Sequence, residues 1–402
     1  PALLAEAAVL PALENADCPS APEPDQIRIV AAGCRDRLPS GHDTQVMDAG
    51  AILLEGSSDR LAIVREILAR MTGQDAAEVE TDPVAIDFLA LGTARWWLRD
   101  LTLAMGHADM LDIECLTREV LTGARAWRDG DRTAATGRLR AGFELLTQAR
   151  ERFYPVDAYI LDLCLLDPSL PAGALTGTLE ARVPTTLIAP ARAIEMQAAR
   201  DAEALHRLRA AIEEGWVDVV GGTYGEADEP LRPIESVCWQ LRKGHDTYRA
   251  HLDDRAVETC ARRRFGLYPQ LPQVAKRFGF RYALHWGLDD GRFPVPAESK
   301  RLWEAPDGSY LESLTRPPIA ADRAAEGLQL PWRMGRAMKD SHVAAIPMVH
   351  WPEPVADWFR DYRRVASYSP VLARWVTVND FFHLTDRPWE MFRPPADDYH
   401  LP

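Results

Sequence analysis

Apolar and polar positions change rhythm partway along the chain. From about residue 59 to 152, apolar side chains recur at intervals of three and four. They run Leu61, Val64, Ile67, Leu68, then Phe88, Leu91, Trp96, Leu98, then Leu116, Val120, Leu121, Ala124, then Leu139, Phe143, Leu146, Ala149. That spacing gathers them on one face and predicts a block of helices. Thr81-Asp82-Pro83 marks one start, a capping residue ahead of a proline in the first turn. Beyond residue 152 short apolar runs alternate with longer helical stretches. Segments 158–166, 185–189, 217–220, 282–285 and 342–350 read as strands. Segments 190–214, 235–252 and 271–278 read as helices, the first ended by Gly215. Two further strand candidates, 27–32 and 51–55, follow a Pro-rich linker at 19–24. Strands separated by helices of this length indicate parallel βαβ units. A barrel or a barrel-like wound sheet is therefore expected, in three parts: an N-terminal segment 1–60 as a candidate piece of the barrel, a helical block 61–152, and the barrel-like domain 153–402.

Composition narrows the partners. The 402 residues are 47% hydrophobic, enough for a sizeable core, and carry a net charge of −14. An acidic chain is a poor match for nucleic acid, whose phosphates need a basic surface. Without an apolar run near the ~18 residues of a membrane span, none is expected. Neutral sugars and small molecules remain. The cysteines, Cys18, Cys34, Cys115, Cys164, Cys238 and Cys260, are scattered with no CxxC pair, so free thiols and a reducing, cytoplasmic setting are expected. The chain opens at Pro1 without a methionine and closes at Leu401-Pro402, which reads as truncation at both ends. The oligomeric state is not legible.

The polar residues that draw attention follow predicted strand ends, where a parallel barrel places its site. Segment 215–230 reads GWVDVVGGTYGEADEP: paired glycines allow a sharp turn, after which Glu226 and Asp228 project from one loop. Glycoside hydrolysis commonly needs two carboxylates, one to protonate the leaving oxygen and one to attack or to activate water. A solvated acidic loop is the plain alternative. Segment 262–266 reads Arg-Arg-Arg-Phe-Gly. On a strand Arg263 faces away from Arg262 and Arg264, so one or two of the three point inward and require a carboxylate partner or an anionic ligand. Segment 285–291 reads HWGLDDG; Asp289 and Asp290 either cap a turn closed by Gly291 or carry chemistry, and His285, ending an apolar strand, is expected to face a cleft. His350, Trp351 and Glu353 combine a histidine, an aromatic platform and a carboxylate, as a sugar subsite does. His245 reads as a surface or capping residue near a helix end; Asp162 and Asp167, flanking the run 163–166, are further ligand candidates, with Asp167-Pro168 read as a turn starter. The dinucleotide, Walker, GxSxG and HExxH motifs are absent from the sequence.

Read in order, these features resemble the N-terminal barrel of the glycoside hydrolase family 38 α-mannosidases, within the superfamily that includes family 57. The resemblance is carried by Gly221-Gly222, Glu226, Asp228, Glu235, Gln240, Gly244, Phe265-Gly266, Leu271-Pro272 and Gly279-Phe280. It covers about 70 residues well and 160–360 loosely. It implies an α/β fold, an incomplete (β/α)7-type barrel of parallel strands with a helical block in the first half. It also implies a carbohydrate or glycoconjugate as partner. The departures bear on mechanism. The family's aspartate in the Phe-Gly turn, nucleophile and zinc ligand together, is Arg263 here, and the tryptophan before it is Cys260. The early His-x-His-x-Asp metal motif has no evident counterpart. Zinc is what the family implies, yet its ligands are unmatched, so no metal residue and no cofactor are assigned. The leading expectation is a divergent glycosidase with a relocated carboxylate pair, Glu226 or Asp228 with Asp289 or Asp290. Arg263, His285, His350, Trp351 and Glu353 then shape the sugar pocket. The alternative is a non-catalytic relative that binds sugar or protein.

Overall fold

The computed structural model describes residues 16–24, 26–56, 62–63, 65–66, 69, 82–226 and 232–400. Leu61, Val64, Ile67, Leu68 and Thr81 lie outside them, as does Asp228. By contact density the chain divides into two units, residues 1–89 with 113–141, and residues 90–112 with 142–402.

The chain begins with β1 (Ile27–Ala31), α1 (His42–Asp48) and β2 (Ile52–Gly56), the two strands pairing in parallel with Ile27 opposite Ile52. The helical block follows as α2 (Pro83–Ala104), α3 (Ile113–Arg128) and α4 (Arg132–Phe153). Asp82 opens α2 as its sequence suggests, its carboxylate accepting from Val84 N at 2.8 Å.

The larger unit alternates strands and helices. In order these are β3 (Ala158–Leu165), α5 (Thr176–Glu180), β4 (Thr185–Ile188), α6 (Ala191–Arg200), α7 (Ala202–Glu213), β5 (Val217–Val220) and α8 (Ile234–His251). Next come β6 (Thr259–Cys260), α9 (Leu271–Arg277), β7 (Tyr282–Leu284), β8 (Lys300–Glu304), β9 (Tyr310–Leu314) and β10 (Ile319–Ala320). The last are α10 (Ala324–Asp340), β11 (Ala344–His350), α11 (Asp357–Tyr368), β12 (Arg374–Val376), α12 (Val378–Leu384) and β13 (Met391–Phe392). Two parallel-rich ladders result, β10-β11-β3-β4-β5 and β13-β8-β9-β7-β6, with β12 also on β3. A parallel bridge from Gly221 to Cys260 joins them at β5 and β6. The α/β class and the parallel strands are as expected. Among the described residues the outermost strands, β10 and β13, do not pair with each other, so the ladder is not closed.

Two differences have local causes. The expected helix 190–214 is two helices, because Asp201 turns out of helical geometry and its carboxylate caps the second by accepting from Ala204 N. One pair, β8 and β9, is antiparallel, folded back at Pro306-Asp307-Gly308, where Gly308 takes φ 83°.

The central parallel strands β3, β4, β5, β6 and β7 are buried on both faces, as parallel sheets require. Leu161, Leu163 and Leu165 of β3 share one core with Ile188, Val220, Leu284, Leu314, Ala345 and Val376, contributed by six other strands. Cys164, Leu187, Val217 and Val219 point the other way and pack with Ile194, Leu205, Leu208, Val237 and Leu241 of the covering helices. By strand alternation Asp162 shares the helix-facing side with Cys164, and His350 stands opposite Cys164 in register. No described helix is long and apolar enough to cross a membrane.

Candidate functional site

The strand ends converge on the Arg262–Gly266 turn. Its approach to β5 depends on glycine: a Cβ on Gly221 would lie 2.4 Å from the Ala189 carbonyl oxygen and from the Tyr248 hydroxyl. The loop after β5 is then clamped onto α8, with Tyr224 N donating to Gln240 O at 3.0 Å and Gly225 N to Gln240 Oε1 at 2.9 Å. This delivers Glu226, its side chain only 6% exposed, to Arg263. One carboxylate oxygen accepts from the Arg263 main-chain N at 2.7 Å, the other from Nε at 3.3 Å. On its far edge the guanidinium donates from Nη2 to Asp167 Oδ2 at 3.0 Å, and its centre lies 5.3 Å from the Trp351 ring centroid. Four strand ends thus meet at one arginine: Asp167 after β3, Glu226 after β5, Arg263 after β6 and Trp351 after β11.

Asp167 reads first as a turn starter, and it is one: Oδ1 accepts from the Ser169 amide at 2.9 Å and hydroxyl at 2.6 Å. Its second oxygen does the other work. Partial burial pushes this carboxyl up, but the two Ser169 bonds and the charges of Arg263 and Arg264 outweigh that and hold it below the usual range. Of the three arginines, Arg262 is buried and packs across Gly266, Arg263 is half-buried, and Arg264 is exposed.

The remaining candidates scatter. Asp289 caps the same turn, Oδ2 accepting from Phe265 N at 2.8 Å and Oδ1 from Gly291 N at 3.3 Å. Asp290 beside it is exposed. Glu353 is exposed and pairs with Arg360 at 3.2 Å. His285 does not face a cleft. It is fully buried on the side away from the strand core, boxed by Phe293, Trp303, Phe392 and Tyr399, with Nε2 3.1 Å from the Tyr399 hydroxyl. Burial pushes it down to about 3, so it is neutral. The reason is alternation: Tyr282 and Leu284 point into the strand core, which turns His285 outward.

His350 is likewise turned under the helices. Its Nε2 lies 2.7 Å from Asp162 Oδ1, while Asp162 Oδ2 accepts from Arg363 Nη2 at 2.6 Å and from the Thr185 hydroxyl at 2.8 Å. Its Nδ1 reaches the Trp351 carbonyl at 2.6 Å, so this buried network tethers the backbone of the residue that faces Arg263. Reading the sequence missed Arg363, whose only signal is its place on an amphipathic helix.

The metal that the resemblance implies can be tested against these residues. The sequence holds no His-x-His pair, and the residues two and four positions before Asp167, the carboxylate at the end of β3, are Leu165 and Leu163. Both leucines are buried in the strand core. Among the described residues no group of three or more His, Cys, Asp or Glu is disposed to hold a metal. Arg263 stands between the two nearest carboxylates and would repel a divalent ion. The residues present do not fit a zinc centre.

Residues 193–348 match the family model described as glycosyl hydrolases family 38 N-terminal domain. The resemblance is borne out over that stretch, which takes in Glu226, Arg263, Asp289 and Asp290 but neither Asp167 nor Trp351. No curated protein matches the chain. Among solved structures, an α-mannosidase from Enterococcus faecalis V583 is similar at 14% identity and TM-score 0.45, over 59% of this chain and 30% of that one. A 4-α-glucanotransferase from Thermococcus litoralis is similar at 12% identity and TM-score 0.40, over 59% of this chain and 40% of that one. An α-amylase from Thermotoga maritima is similar at 11% identity and TM-score 0.44, over 60% of this chain and 77% of that one. The chain thus spans less than half the length of the first two.

Proposed function

We propose that this chain is a carbohydrate-active barrel of the α-mannosidase-like kind whose strand-end mouth binds a sugar or glycoconjugate without cleaving it. The observation that carries the reading is the double engagement of Arg263 by Glu226 and Asp167. Hydrolysis needs one carboxylic acid to donate a proton and one carboxylate to attack or to activate water. Glu226 spends both oxygens on Arg263, and Asp289 spends both on main-chain amides. The Trp351 ring beside the guanidinium is the platform for a sugar ring, since an aromatic face packs on the apolar face of a pyranose. Six scattered cysteines with no CxxC pair support a cytoplasmic setting.

A second reading, hydrolysis by a pair drawn from Asp228 and Asp290, is favoured by the exposure of Asp290 beside the same turn. Calorimetric titration with mannosides and other glycosides, run beside turnover assays on aryl glycosides, separates the two. Expected are measurable binding to at least one glycoside, its loss in Trp351→Ala, and no turnover. Turnover abolished by Asp290→Asn establishes the second reading instead, and binding to no sugar at all sinks both.

A further inference from the structure

We propose that the Arg263 guanidinium is a resident cation standing where a divalent metal would otherwise sit, so that the charge at the mouth is built into the chain. The inference uses the site described above but does not depend on sugar binding there. Asp167 and Glu226 arrive from the ends of two strands and converge on one point. Two carboxylates brought together need a positive charge between them, the more so because the Glu226 side chain is 6% exposed. The planar fork supplies it in two directions, Nη2 to Asp167 at 3.0 Å and Nε to Glu226 at 3.3 Å. Its centre lies over the Trp351 ring, which favours a weakly hydrated cation. A zinc ion would draw oxygen ligands in to about 2.0–2.2 Å and ask for about four of them. Here the guanidinium lies between the two carboxylates, and Leu163 and Leu165, which lie on β3 ahead of Asp167, are core residues with no lone pair to offer. The family's aspartate and this arginine are therefore alternative solutions at one position: an anion that recruits a cation, or the cation itself.

The test converts one solution into the other. Wild type, Arg263→Asp and Arg263→Asp/Asp167→Asn are stripped with chelator, incubated with zinc sulfate and desalted. Metal content is then read by mass spectrometry, and melting is followed with and without zinc. Wild type is expected to retain no stoichiometric zinc and to melt at the same temperature with or without chelator. Arg263→Asp, which sets a third carboxylate beside Asp167 and Glu226, is expected to gain one zinc per chain and to melt higher in its presence; the double variant loses both effects. A wild-type zinc that Asp167→Asn removes overturns the proposal. So does a folded Arg263→Asp that takes up no zinc. Should that variant not fold, Arg263→Ala with added methylguanidine decides: recovery of the wild-type melting temperature supports a resident guanidinium, and no recovery overturns it.

Discussion

Asp162 sits in the middle of a fully buried strand, where an unpartnered carboxylate would be prohibitively costly. It is tolerated because both oxygens are used, by His350, Arg363 and Thr185. Burial alone would raise its pKa, but the Arg363 and His350 charges and their hydrogen bonds prevail and hold it at about 2. With a folded pKa below the ordinary value, its ionised form stabilises the fold above about pH 4. That contribution fades as pH falls toward 2. Asp162→Asn should therefore cost about 3–5 kcal/mol in urea unfolding at pH 7, the usual penalty for breaking a buried pair. The gap to wild type should shrink between about pH 4 and pH 2. Equal stability at neutral pH would show that the network is not load-sharing. The same residue marks a limit of sequence reading. A charge inside an apolar run announces that a partner exists, but Arg363 stands 201 positions away, and only the fold brings it near. Arg263 was legible as an arginine needing a carboxylate, and Glu226 as one on offer. Asp167 reads as a turn residue, because its chemistry with Ser169 accounts for it locally and says nothing of its second oxygen.

At the scale of elements, the site rests on how closely α8 approaches the end of β5. A Cβ on Gly244 would stand 2.1 Å from the Gly222 carbonyl oxygen, and one on Gly222, at φ 144°, 2.9 Å from the Phe280 ring. The first obstacle is backbone and cannot rotate away. Gly244→Ala should push the helix off the strand end, cost about 3 kcal/mol, the upper range for overpacking, and loosen the Gln240 clamp on the Glu226 loop. Amide exchange at Tyr224 and Gly225 reads the loosening. A variant with unchanged melting temperature and unchanged exchange would contradict this packing. The elements legible in the sequence were those with long periods: β3, β11, α8 and the helical block. Some of those missed are short, such as β6 with two residues, or announced only by turn chemistry, as in Pro306-Asp307-Gly308 folding β8 onto β9. Two long helices, α10 and α11, were also missed, on either side of the strand read at 342–350. The break between α6 and α7 was missed because Asp201 continues a polar helix face while its carboxylate caps the next helix.

For the molecule as a whole, the pH profile of stability is set by carboxyls that folding moves in opposite directions. Asp218 is the counterpart of Asp162. It lies on β5, buried, with Oδ2 accepting from Asn379 N at 2.8 Å where α12 begins. Burial pushes it up to about 6, more than the Thr186 hydroxyl and the Asn379 amide can offset, and Asp380 adds to the rise. A folded pKa above the unfolded one means that the native state binds the proton more tightly. Its contribution is therefore fully present below about pH 4 and is lost as pH rises to about 6. A shift of about two units corresponds to about 3 kcal/mol, so near neutrality the ionised carboxylate is a liability of that order. Asp162 makes the opposite slope, gaining between about pH 2 and pH 4. From these two groups alone, stability should rise to about pH 4 and then decline to about pH 6. Asp218→Asn keeps an oxygen to accept from Asn379 and carries no charge. It should match wild type near pH 4 and exceed it by about 2–3 kcal/mol at pH 7, flattening the decline between. Urea midpoints of both proteins at half-unit steps of pH provide the check. Curves that run parallel from pH 4 to 7 would mean that Asp218 does not hold its proton in the fold, and that the decline, if seen, belongs to another group.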